Sequence, residues 1–165
     1  MLSILKYLHI FVVLLIGSYP ALPVADQEVE YRSGAPKFEE VWNQFYADPG
    51  HEPELADTLI NARRKMTGTI CEAIKHIDMK CRRYAIEPLG FIGDNRALPT
   101  LQIILKDEKE KDYFHGDALK AIYLIDERLG TTYANEFIGS NEYLTMIGKA
   151  ILTKASWLKE RPKED

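Results

Sequence analysis

Residues Arg82 to Asp107 read Arg-Arg-Tyr-Ala-Ile-Glu-Pro-Leu-Gly-Phe-Ile-Gly-Asp-Asn-Arg-Ala-Leu-Pro-Thr-Leu-Gln-Ile-Ile-Leu-Lys-Asp. Ala85, Leu89 and Ile92 recur at four and three, the spacing of one helix face. Gly93-Asp94-Asn95 then interrupts the pattern, and Asp94 or Asn95 is placed to accept from the free amides that open the next helix. Pro99 falls in that helix's first turn, where a missing backbone donor costs little. The stretch therefore predicts a helical hairpin. Pro88 lies inside the first helix, where it removes a donor and crowds the carbonyl of Tyr84, so a kink is expected there.

An echo follows 33 residues downstream: Ala118, Leu119, Ile122 and Ile125 take the places of Ala85, Ile86, Leu89 and Ile92. That offset is typical of a repeat built from one helical hairpin. The echo departs at two points, with His115 in the slot of Arg82 and Tyr123 in that of Gly90. Together Arg82, Ala85, Leu89-Gly90, Gly93-Asp94 and Ala97-Leu98-Pro99 resemble a unit of the HEAT-like repeat family, including the repeats related to phycobilisome lyases. The resemblance is strongest over 82–107 and weaker near 115–126. It implies a short right-handed α-α superhelix of about three hairpins, with a surface for partner proteins. Lyase-type members of the family attach chromophores, which implies an alternative: a lyase-like or ligand-binding pocket around Arg82, Asp94 and His115.

The remaining pattern is helical. Phe38, Val41, Trp42 and Phe45 form one face of a short helix that ends at Asp48-Pro49-Gly50 and caps the stack. Leu55, Leu59, Ala62, Met66, Ile70, Ala73 and Ile77 form a stripe predicting one long helix from about Glu54 to Lys75. A bend at His76–Asp78 leads into the helix of Cys81 and Arg82. Lys106–Lys111 alternates in charge and reads as a solvent-facing connector; a metal or acid/base cluster of Asp107, Glu108 and Glu110 is the sharper alternative. A helix from about Asp112 to Leu129 is expected to stop at Gly130. A short one follows near Thr132–Phe137, capped by Thr131 or Thr132. The last opens at Ser140 and carries Leu144, Ile147, Ile151, Ala155 and Leu158. No strand pattern competes, so the fold class is all-α.

Residues 1–25 resemble a secretory leader: Lys6 precedes an apolar run from Leu8 to Ile16, and a short Pro-containing segment reaches Ala25. The apolar run is too short to span a bilayer, since Pro20 and Pro23 follow closely. Secretion or periplasmic localisation, with no membrane association after cleavage, is the expectation. Residues 26–36 form an extended lead-in, 37–158 the helical domain and 159–165 a charged tail.

The whole chain has a net charge of −4. Without residues 1–25 it retains 20 basic against 25 acidic residues. Nucleic-acid binding is disfavoured, since the clusters Arg63-Arg64-Lys65 and Lys80/Arg82/Arg83 stand isolated in an acidic background and read as solvated faces.

Cys71 and Cys81, the two cysteines, flank the bend at His76–Asp78, and in an oxidising compartment they are expected to pair as a disulfide. A zinc site of Cys71, His76 and Cys81 is the alternative, weakened by the lack of a clear fourth ligand. Tyr113, Phe114 and His115 form a candidate recognition cluster, with a partly buried helix start as the plain reading. Arg82 and Asp94 join them as candidate binding residues. No Gly-x-Ser-x-Gly, His-Glu-x-x-His, phosphate loop or dinucleotide fingerprint occurs. The expectation is an exported, non-enzymatic, protein-binding helical-repeat protein without cofactor or metal, serving as scaffold or inhibitor.

Overall fold

A computed structural model describes residues 38–47 and 58–160; the expected leader, the lead-in and the end of the tail lie outside these residues. The described chain is all-helical. Its elements are α1 (Phe38–Ala47), α2 (58–62), a 3-10 turn (Arg63–Lys65), α3 (Thr67–Ala73), α4 (Arg82–Ile92), a 3-10 turn (Asn95–Ala97), α5 (Leu98–Lys106), α6 (Asp112–Ile125), α7 (Glu127–Phe137), α8 (Glu142–Leu152) and a final 3-10 turn (Ser156–Lys159).

In the quoted stretch the helix ends fall where its pattern places them. Gly93, in the left-handed region with φ 67°, ends α4. The Asp94 carboxylate accepts from the amide of Arg96, and Pro99 sits in the first turn of α5. Pro88 is buried in α4, which runs on to Ile92.

Other boundaries fall elsewhere. The long helix expected from Glu54 to Lys75 is divided at Arg63, whose φ of 57° cannot continue a right-handed helix. Its apolar stripe survives the break, with Leu59, Met66 and Ile70 buried. Ile77, the stripe's expected last member, lies beyond the end of α3 and is 70% exposed.

The helix expected to run to Gly130 stops at Ile125. Asp126 turns extended and its carboxylate caps α7 by accepting from Leu129 N at 2.9 Å. Gly130 lies within α7, where an added Cβ would stand 2.4 Å from Cα of Tyr123. The expected terminator is thus the point at which α7 folds back onto α6. Thr131 and Thr132 do not cap; their hydroxyls donate to the carbonyls of Glu127 and Arg128.

The last helix starts after Ser140, and its cap comes from another helix. Asp112 of α6 accepts from Tyr143 N at 2.7 Å and Leu144 N at 3.0 Å. These are amides that α8 cannot satisfy internally. Lys154, with φ 53°, ends this segment, and the final turn returns Leu158 to the core, fully buried.

Helix α6 is the centre of the packing, lying against α4, α5, α7 and α8. Ten consecutive residues from Phe114 to Tyr123 are buried along it. Arg83 pairs with Asp117, 34 residues on, and Glu87 with Lys120, 33 residues on. Because both partners advance together, α4 and α6 run parallel. Helix α8 runs parallel to α6 by the same logic: Asp112 meets Tyr143, and Gly116 lies against Tyr143 and Ile147. The repeat positions also match in burial: Ala85, Ile86 and Leu89, like Ala118, Leu119 and Ile122, are fully buried.

Candidate functional site

The start of α4 is fixed by a buried guanidinium. Arg82 Nε donates to the carbonyl of Ile74 at 2.6 Å, eight residues back, where α3 has just ended. Its Nη1 lies 2.6 Å from Glu110 Oε1, both side chains at most 5% exposed, and its guanidinium stands 4.7 Å from the ring centroid of Phe114. The 107–111 connector is therefore drawn against α4, and Glu110 is not solvent-facing as its alternating charge pattern suggested. A buried charge needs a partner, and Arg82 is the partner for this one.

The slot is used again one unit later. His115 Nε2 bonds the carbonyl of Asp107 at 2.9 Å, again eight residues back, and its Nδ1 faces Asn141 Nδ2 at 3.4 Å. Since a carbonyl only accepts, Nε2 is the donor. Each clasp joins the start of one helix to the end of the preceding helix and to the next connector.

Beside the clasps runs a polar ladder linking α4, α6 and α8. Arg83 Nε donates to Asp117 Oδ2 at 2.7 Å; Tyr143 Oη accepts from Arg83 Nη2 at 3.0 Å and donates to Asp117 Oδ1 at 2.9 Å. Burial raises the pKa of Asp117, against the opposing pull of Arg83 and Tyr143. Burial, then the Asp117 charge, pushes Tyr143 up to about 12. Partial burial works against the charge on Arg83, but the Asp117 bond and charge outweigh it and raise its pKa. The expected solvated cluster Lys80/Arg82/Arg83 is thus corrected: both arginines are committed to carboxylates inside the fold.

An open cleft of about 440 Å³ lies between the α3–α4 loop and the 109–114 segment. Ile77 and Met79 form one side, Lys109 and Lys111 line it from the connector, and Tyr113, Phe114, Arg82 and Arg83 come from the helix starts. Arg83 and Lys111 approach the Tyr113 ring at 5.7 and 5.8 Å. The lining contains the Cys81 thiol but no histidine, and its one carboxylate, Glu110, is held by Arg82.

The predicted site residues are only partly brought together. Arg82, Tyr113 and Phe114 line the cleft; His115 is buried behind it in its own clasp, and Asp94 is not among the lining residues. Asp94 instead caps the Asn95–Ala97 turn and holds Arg96 with a 2.6 Å ion pair. Burial raises its pKa, but the Arg96 bonds and a Thr67 hydroxyl outweigh that and leave it lowered. Arg82, Asp94 and His115 therefore do not form a shared pocket.

The expected disulfide is absent: Cys71 and Cys81 are both free thiols. Cys71 is buried and faces Thr100 of α5, with burial raising its pKa. Cys81, in the left-handed region at φ 57°, caps α4 and lines the cleft near Tyr46. Among the described residues no group of three or more His, Cys, Asp or Glu side chains converges as a metal site, so neither Cys71/His76/Cys81 nor Asp107/Glu108/Glu110 is assembled. No described helix is long and apolar enough to cross a membrane.

The residues that sequence reasoning missed are Ile77, Met79, Lys109, Lys111, Glu110, Asp117 and Tyr143. A signal existed for Asp117 and Lys120, which stand one repeat length from Arg83 and Glu87 with opposite charge. No protein-family model, curated protein or solved structure matches the chain.

Proposed function

We propose that this chain is an exported, non-catalytic module of HEAT-like helical hairpins that binds another protein, as a scaffold or inhibitor, through the cleft between 77–83 and 109–114. The leader-like character of residues 1–25 supports export. The repeat reading is supported by the two clasps, made at equivalent positions by Arg82 and His115, and by the ion pairs at 33 and 34 residues. Such modules use an extended surface and need no reacting groups.

One observation carries the binding assignment: Ile77, 70% exposed, is the most exposed large apolar side chain among the described residues, and it stands on the rim of the cleft. An apolar side chain presented beside an aromatic and cationic wall is the composition of an interface core. Affinity capture from the native source, run in parallel with the wild-type chain and Ile77→Asp, tests the assignment. Ile77 is exposed, so the variant should keep its circular dichroism and thermal midpoint while losing a protein that the wild type retains. Equal retention by both would move the binding surface elsewhere.

A further inference from the structure

The charges in this cleft are not balanced. Four cations, Arg82, Arg83, Lys109 and Lys111, line it with one carboxylate, Glu110, in a chain whose net charge is −4. Arg82 is neutralised by Glu110 and Arg83 by Asp117. Lys109 and Lys111 are exposed, and among the described residues neither has a carboxylate within ion-pair distance. From the other segment that lines the cleft come Ile77 and Met79, one exposed and the other half-buried. A phosphate backbone would satisfy the lysines and leave the apolar side in water. A purely apolar segment would cover Ile77 and leave two cations facing it.

We infer that the cleft takes an extended acidic segment of a partner protein in which carboxylates alternate with apolar side chains; this rests on the binding reading above. In an extended chain successive side chains point to opposite sides. An alternating segment therefore turns its carboxylates to Lys109 and Lys111 and its apolar groups to Ile77 and Met79. The lysines contribute encounter rate and selectivity, while the apolar contact contributes most of the affinity.

A random dodecapeptide display library selected on the immobilised full chain provides the test, with enriched peptides titrated against the wild type, Ile77→Asp and Lys109→Glu/Lys111→Glu. The substituted side chains are exposed, and circular dichroism checks that both variants fold. The expected result is enrichment of peptides alternating Asp or Glu with Leu, Ile or Phe. Their affinity should fall about tenfold or more in the double lysine variant and weaken with added salt. Peptides lost with Ile77→Asp but showing no acidic bias and no response to the lysine reversal would overturn the acidic-segment inference and leave the binding reading standing. Peptides indifferent to both variants, or no enrichment, would overturn both.

Discussion

The two clasps make one hydrogen bond in two chemical forms, and the open clefts beside them differ in lining: four cations beside the Arg82 clasp, but only Lys149 among the residues beside Asn141 of the other. Arg82 and His115 each bond a carbonyl eight residues back and each meets a side chain of the following connector. In the first clasp the pin is a charge, so the connector must deliver a buried carboxylate. Glu110 turns inward, and its neighbours Lys109 and Lys111 are left at the cleft. In the second the pin is an imidazole that meets Asn141, a side chain without charge. The same bond to a carbonyl eight residues back is thus kept while the side chains offered beside it differ.

The largest effect should come from breaking the charged clasp. Arg82→Met leaves Glu110 buried without a partner and the Ile74 carbonyl without its donor. Removing one member of a buried pair costs about 3 to 5 kcal/mol. Urea unfolding should show that loss. Arg82→Met combined with Glu110→Leu should recover a large part of it, because the stranded charge is then gone. If the single and double variants are equally unstable, the clasp holds the fold through the Ile74 bond alone.

The second clasp should be weaker. His115→Ala removes one bond to the Asp107 carbonyl, which still accepts from Glu110 N, and the contact with exposed Asn141, so about 0.5 to 1.5 kcal/mol is expected by the same measurement. His115→Gln, which keeps a donor of similar reach, should restore part of the loss. A cost for His115→Ala equal to that of Arg82→Met would erase the distinction between the clasps.

How much of this was legible follows from the range over which each signal acts. The helix ends within 82–107 were readable because their signals, Gly93-Asp94 and Pro99, act on their own neighbours. The start of α8 was misplaced because a tertiary contact supports it, Asp112 capping it from another helix, and Gly130 was read as a stop although it serves the approach to Tyr123. His115 looked like a departure from the repeat, yet it makes the same bond as Arg82. Residue identity was the wrong criterion there; the ability to donate to a carbonyl was the right one. The site was legible only in Arg82, Tyr113 and Phe114. Lys109 and Lys111 read as one more alternating charge run, and nothing local says that Glu110, alone among them, is buried.

The smallest effect concerns two carboxylates near the clasps whose pKa values move in opposite directions. Asp94 is held by Arg96, and its pKa lies below the ordinary 3.8. Its contribution to stability is present above pH 3.8 and disappears as pH falls through the lowered value. The pKa of Asp117 lies above 3.8 because burial outweighs Arg83 and Tyr143. The folded state holds that proton more tightly, so ionisation costs stability as pH rises from 3.8 through the raised value, and acidification removes the cost. Asp94→Asn should cost less than about 1 kcal/mol at pH 7, since Arg96 is exposed, and the gap to wild type should close towards pH 3. For Asp117→Asn the gap should move in the wild type's favour over the same acidification. Urea midpoints at pH 7, 5 and 3 for the three proteins decide it. If both gaps move in the same direction, one carboxylate is balanced differently in the folded state than its partners indicate.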